Sequence, residues 1–339
     1  MNLGAALQQV LGGATLSRAD SRAVFGTALA HEPDPVQLAG LLAALAQRGE
    51  TADEILGAAE ALRAAAVPFE HEHPGALDTC GTGGDGLGTF NLSTTAALVA
   101  AAAGARVIKH GNRSVSSACG SADLLEAAGV ALELSPGGAR ECLDELGICY
   151  LHAPAYHPAM RSAMPVRRAL GVRTIFNLLG PLANPGRVRR QLLGIADAAR
   201  LDDYAAVLSG LGHERGYVVH GGGGADELTL APVNAVRAVG DAPALESRPE
   251  ALGLDAAPVS ALRGGDAGAN LASLRRLLDG DGGPLRDALL LNSAAALVVA
   301  GVAADALDGV RRAAEALDSG RARALLEKWA ALSRALEAA

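Results

Sequence analysis

Beyond about residue 75 the chain changes its period, and that change constrains the fold more than any other feature. Short apolar runs at 76–80, 105–109, 148–152, 192–195 and 217–220 alternate with Ala/Leu-rich stretches of ten or more residues. Runs this short suit buried strands, and their alternation with helical stretches predicts an α/β fold with a largely parallel sheet covered by helices. In such sheets ligands collect at the carboxyl ends of the strands. Gly-rich segments follow three of the runs, where that rule places a site.

The first 67 residues read differently. Apolar residues recur at three- and four-residue spacing in 36–45 and 55–62, and Thr51 with Glu54 forms a capping-box pattern ahead of the second stretch. The polar, Pro-bounded segment 67–75 then links this small helical unit to the α/β unit. Residues 284–339 read as two or three Ala/Leu helices.

Composition narrows the function classes. Half of the 339 residues are hydrophobic but only 3% are aromatic, so Ala, Leu and Val must fill the core through close packing of helices and strands. A net charge of −8, with no run rich in Lys or Arg, argues against a nucleic-acid-binding surface. No apolar stretch is long enough to span a membrane and no export signal is visible, so neither membrane nor nucleic acid is an expected partner and the cytoplasm is the expected location. Cys80, Cys119, Cys142 and Cys149 lack metal-binding spacing and are expected as reduced thiols. His71 and His73 are read as part of a solvated linker.

Four segments carry chemistry. The first, 78–95, holds Gly81, Gly83, Gly84, Asp85, Gly88, Thr89, Asn91, Ser93 and Thr94 directly before an Ala-rich helix, a phosphate-type loop although neither a Walker A nor a Rossmann fingerprint. An ordinary Gly-rich turn explains the glycines alone; Asp85 within an anion loop calls for hydroxyl partners or a nearby metal. The second contains Lys109, His110, Gly111, Asn112, Arg113, Ser114, Ser116, Ser117, Ser121 and Asp123, a donor-rich loop suited to a phosphorylated, hydroxyl-bearing ligand. Lys109 is one of only two lysines among 29 basic residues, and a lysine kept in such a loop suits a phosphate contact. Ser121 and Asp123 can equally serve as helix caps. The third is Asp226-Glu227 after a glycine run, read as a surface-loop pair suited to Mg2+. The fourth spans 157–185, with Arg161, Arg167, Arg168 and Arg173 and no acid, and could bind a carboxylate; Arg161 and Arg168 are expected on a solvated face.

In order along the chain, GTGGDG, KHGNRSxSSxxGSAD, HPAMxxxxPVRxxLGxRTxFNLLGPLxNP and the DE pair resemble the anthranilate phosphoribosyltransferases, within the nucleoside phosphorylase-like transferases. The resemblance implies a small N-terminal all-α domain (1–70, joined by a segment near 165–190) and a large α/β domain (71–339). It implies transfer of phosphoribose from 5-phosphoribosyl 1-pyrophosphate (PRPP) to anthranilate, the second step of tryptophan synthesis from chorismate, in a homodimer. It places PRPP at Gly81, Gly84, Asp85, Thr89, Asn91, Leu92, Ser93, Thr94, Lys109, His110, Gly111, Asn112, Arg113, Ser114, Val115, Ser116, Ser117 and Ser121. It places anthranilate at Gly81, Asn112 and Arg167, and Mg2+, two ions per subunit, at Ser93, Asp226 and Glu227. No side chain is assigned as catalytic acid, base or nucleophile, since an aromatic amine is already neutral near pH 7. A pyrimidine nucleoside phosphorylase is the alternative of like fold, although its second loop carries a different motif. A non-enzymatic nucleic-acid-binding relative is the alternative from another class.

Overall fold

The computed structural model describes residues 1–114 and 118–338. Four helices come first: α1 (Leu3–Leu11), α2 (Arg18–Ala30), α3 (Pro35–Arg48) and α4 (Ala52–Ala64). Their ends are set by local chemistry: Asn2, Ser17, Asp34 and Thr51 each accept a backbone N–H at a helix start, and Thr51 with Glu54 completes the expected capping box. Glu54 is fully buried, accepts the N–H groups of Leu16 and Thr51 (2.8 Å each) and pairs with Arg48.

The α/β part runs β1 (Leu77–Gly81), α5 (Leu92–Ala102), β2 (Val107–Gly111), α6 (Ser121–Ala127), α7 (Pro136–Leu146), β3 (Ile148–His152), α8 (Ala153–Tyr156), α9 (Met164–Leu170), α10 (Ile175–Leu179), β4 (Arg190–Gly194), α11 (Leu201–Gly210), β5 (Arg215–His220) and β6 (Ala235–Gly240). It closes with α12 (Ala267–Leu278), α13 (Pro284–Ala300), α14 (Ala306–Asp318) and α15 (Arg321–Glu337). The last three are the Ala/Leu helices expected from the sequence.

The sheet order is β3-β2-β1-β4-β5-β6, with β1 to β5 parallel and β6 antiparallel to β5. The five expected strands form, within two residues of the expected bounds. The sixth was not expected, because Ala235–Gly240 is an edge strand with little buried apolar surface.

Strand residues alternate between two cores. Leu192, Tyr217 and Val219 face a core built with α5 and α13; Leu193, Ile195 and Val218 face one shared with the N-terminal helices, Ala163, Val166, Ile175 and Phe176. Segment 163–183 thereby packs with the N-terminal helices although it lies far along the chain. No helix of the described residues is long and apolar enough to cross a membrane. All four cysteines are free, three of them buried. His71 and His73 are half-buried and not simply solvated: their rings bond the Gly186 carbonyl (2.8 Å) and Asp144 (2.7 Å).

Candidate active site

Strand β1 lies between β2, reached by continuing the chain, and β4, reached only after the chain returns past it. Its carboxyl end is therefore a switch point of the sheet, where a crevice opens. The Gly81–Gly88 loop leaves that point, flanked by the segments that follow β2 and β5.

At the base of this crevice the third segment meets the first. Asp226 Oδ2 accepts the Gly83 N–H (2.6 Å); Glu227 accepts the Ser93 N–H in the first turn of α5 (3.1 Å) and the Thr89 hydroxyl (3.4 Å). This approach requires two glycines: a Cβ at Gly81 would strike the Asp226 carboxylate, and one at Gly194 would strike its backbone carbonyl. The expectation of an exposed loop is thus corrected. Asp226 and Glu227 are half-buried and turn inward, because these glycines leave space for the chain to fold onto β1 and β4.

Burial and repulsion from Asp85 push the Asp226 pKa up; burial and repulsion from Asp226 do the same to Glu227. One oxygen of Asp85 accepts the Leu87 N–H (3.0 Å), while the other is buried with no partner among the described residues. Three carboxylates thus act on one another, with backbone N–H groups answering part of their charge. Among the described residues no three His, Cys, Asp or Glu side chains are gathered in metal-chelating geometry. A ligand set of two carboxylates and the Ser93 hydroxyl would leave positions for phosphate or water oxygens, as Mg2+ prefers.

The second segment is divided by the structure. Lys109 does not lie in the loop: β2 runs through Gly111, and Lys109 is buried with its ammonium donating to the Thr79 carbonyl (2.6 Å), near Asp78 and Glu227. His110 is also buried, 5.1 Å centroid to centroid from His157; burial and His157 hold its pKa well below the ordinary value. Leu92 and Thr94 point into the core. Asn112 is exposed, and its carbonyl accepts from Ser121 Oγ (3.3 Å). Arg113 is bound by Glu126 through two bonds (2.7 and 2.8 Å) and by Asp123 (3.2 Å). Val115, Ser116 and Ser117 lie outside the described residues. Asn91 joins the first loop to the second, its amide donating to the Cys119 carbonyl (3.4 Å).

The fourth segment reaches the site through a different arginine from the one singled out. Arg173 donates to the Gly84 carbonyl (3.2 Å), whereas Arg167 is half-buried over the Phe176 ring (5.6 Å to its centroid). Among the described residues no carboxylate pairs with Arg167, and none of its hydrogen bonds reaches Gly81 or Asn112. Burial lowers its pKa. Arg161 and Arg168 are exposed, as expected. Between the helical unit and the Gly81–Gly84 turn lies a cavity of about 370 Å3, lined by Glu50, Thr82, Gly84, Arg173 and Arg200 among others. A larger depression, about 1040 Å3, sits on the outer face of α2 and α4, away from all four segments.

Sequence reasoning missed Asn270. This residue is buried on α12, and its side-chain oxygen accepts from the N–H (3.2 Å) and the amide (3.3 Å) of Asn91, while the Leu262 carbonyl accepts the Phe90 N–H (2.9 Å). A lone Asn in a helix has no motif to mark it.

Models of two glycosyl transferase family units match the chain: the helical bundle domain over residues 5–66 and the a/b domain over 73–323. An anthranilate phosphoribosyltransferase of Chloroflexus aggregans is 48% identical over 338 residues, covering 98% of this chain and 99% of its own. The crystal structure of the Thermus thermophilus enzyme of that name superposes with a TM-score of 0.91 at 48% identity, covering 97% of this chain and 99% of its own. The Saccharomyces cerevisiae enzyme, solved in complex with PRPP and Mg, superposes with a TM-score of 0.89 at 26% identity, covering 98% of each chain.

Proposed function

Because this chain belongs to the anthranilate phosphoribosyltransferase family, we propose that it transfers the phosphoribosyl group of PRPP to the amine of anthranilate, giving N-(5-phosphoribosyl)anthranilate and pyrophosphate. The observation that carries the reading is the meeting of the Gly81–Gly88 loop, the first turn of α5 and the Asp226-Glu227 pair at the switch point of the sheet. Such a site combines backbone donors and carboxylates, and suits a polyphosphorylated ligand that arrives with divalent cations.

In this reading PRPP lies along Gly81, Gly84, Asp85, Thr89, Asn91 to Thr94, residues 109–117 and Ser121. Leu92, Thr94, Lys109 and His110 act there through backbone or position, since their side chains are buried, and Arg113 does so because Glu126 and Asp123 hold its guanidinium. Ser93, Asp226 and Glu227 would hold Mg2+, two ions per subunit. The donor set fits: a buried, unpartnered Asp85 oxygen and two carboxylates with raised pKa values amount to negative charge in excess of the cations facing it. Bound Mg2+ would offset the charge that builds on departing pyrophosphate. Thr89 and the Ser93 N–H orient Glu227, and Gly83 orients Asp226.

Arg167 would receive the anthranilate carboxylate, with Gly81 and Asn112 beside the ring. A guanidinium already half-buried and without a carboxylate partner is prepared for a bidentate anion. The amine attacks C1 of the ribose without a strong base, so the chain acts chiefly by positioning and charge stabilisation. We further propose a homodimer, a cytoplasmic location, and division of the chain into a helical domain (1–70, with 165–190) and an α/β domain (71–339). The packing of Ala163, Val166, Ile175 and Phe176 with the N-terminal helices supports that division.

The test is turnover. Loss of anthranilate fluorescence should require both PRPP and Mg2+ and release pyrophosphate in equal amount; no loss with both present would overturn the reading.

A further inference from the structure

Where the chain leaves β2 and where it enters α6, its two limbs touch. A Cβ at Gly120 would strike the backbone of Asn112, Arg113 and Ser114, so only glycine allows this closure. One carboxylate spans the neck: Asp123 Oδ2 accepts the Gly120 N–H (2.8 Å) and the Ser114 N–H (3.1 Å), and its Oδ1 accepts from Arg113 (3.2 Å). The Gly120 bond is local, the carboxylate at the third residue of α6 reaching back to the N–H of the residue that precedes the helix. The Ser114 bond is not, since it reaches nine residues back and ties the outgoing limb to the incoming one. Burial disfavours the charged form of Asp123, yet the Gly120 and Ser114 N–H groups and Arg113 outweigh it and hold the carboxyl below its ordinary range.

Arg113 is turned the same way. Its guanidinium forms a two-bond fork with Glu126 and a third bond with Asp123, so its charge is answered by carboxylates on α6.

We propose that Asp123 is a positioning residue for the phosphoribosyl donor: it clamps the neck of the loop after β2 and, with Glu126, employs Arg113 as a brace on α6 and not as a phosphate ligand. This rests on the reading of the site as a PRPP site. The clamp holds Arg113 and Ser114, one and two residues beyond Asn112, so its loss should weaken the donor substrate far more than the acceptor.

The test is kinetics on Asp123→Asn, which keeps one acceptor oxygen and loses the charge. The KM for PRPP should rise about tenfold or more, with the KM for anthranilate changed less than about twofold and the melting temperature nearly kept. Arg113→Ala and Glu126→Gln should each raise the KM for PRPP by a smaller factor, with the double variant no worse than Arg113→Ala alone, as members of one brace behave. An unchanged KM for PRPP in Asp123→Asn, or a parallel rise of both KM values with a large drop in melting temperature, overturns the proposal. So does a fall in the KM for PRPP in Glu126→Gln, which would make Arg113 a phosphate ligand restrained by Glu126. If the wild-type enzyme shows no turnover with PRPP and anthranilate, the functional reading fails instead. The clamp is then judged by amide hydrogen exchange: faster exchange at Ser114 and Gly120 in Asp123→Asn supports it, and unchanged exchange overturns it.

Discussion

Replacing Arg167 by Ala should separate acceptor from donor binding. The side chain is half-buried, stands over Phe176 and has no carboxylate partner among the described residues, so its desolvation is already in place before a ligand arrives. A hydrogen bond to a charged group contributes about 1.5–3 kcal/mol, or roughly ten- to a hundredfold in affinity. Loss of the cation–π contact removes about 0.5–1 kcal/mol of stability, too little to unfold the chain. Steady-state kinetics with each substrate varied in turn should therefore show the KM for anthranilate rising by that factor and the KM for PRPP changing little. Arg167→Lys should restore part of the loss, since it keeps the charge and loses the fork. Arg168→Ala, exposed and about 100° round the helix, should change neither value. If Arg167→Ala binds anthranilate as the wild type does while Arg173→Ala abolishes that binding, the acceptor site belongs to the arginine that bonds Gly84.

Removing Glu54 by Glu54→Ala leaves Arg48 without its carboxylate, with only the Ala14 and Gly49 carbonyls to answer it, and the N–H groups of Leu16 and Thr51 without their acceptor, and should lower stability to urea by about 3 kcal/mol; a loss under about 1 kcal/mol would contradict this. With Asp226 and Glu227 held above the ordinary carboxylate range, the folded chain binds more protons than the unfolded one, so their contribution to stability is lost as pH rises through the raised values. Without divalent ions, Asp226→Asn with Glu227→Gln should melt above wild type at about pH 8 and the gap should close toward about pH 5; equal melting at both would refute the repulsion. Gly194→Ala drives a Cβ into the Asp226 carbonyl and should cost about 1–3 kcal/mol together with activity; an unaltered melting curve and turnover would count against the close approach.

The parallel sheet was legible because buried strands must be apolar on both faces, and runs such as Ile148–His152 contain little else. Ala235–Gly240 escaped for the opposite reason: at the sheet edge it carries Arg237 and exposes part of its length. The anion-type loops were legible from glycines and small donors before helices. What they touch was not. Lys109 looked like a loop cation because Gly, Asn and Ser follow it, yet pairing with β3 extends β2 through Gly111 and buries it. Asp226 and Glu227 looked like an exposed turn, since nothing local shows that Gly81 and Gly194 leave room for them. Asn270 acts only through tertiary packing against Asn91. Chemistry marked only a basic stretch and the family resemblance singled out Arg167 within it; the structure adds that Arg167 is half-buried with no carboxylate partner among the described residues, and sets Arg173 against the glycine loop.

The central claim is that the Asp226-Glu227 carboxylates let this crevice take a polyphosphorylated donor together with Mg2+. Calorimetric titration of PRPP into the wild-type protein tests it directly, run with Mg2+, with excess chelator, and with Mg2+ on Asp226→Asn with Glu227→Gln. The tightest binding is expected in the first case, with affinity at least about tenfold weaker in the other two. Equal affinity in all three would contradict the account.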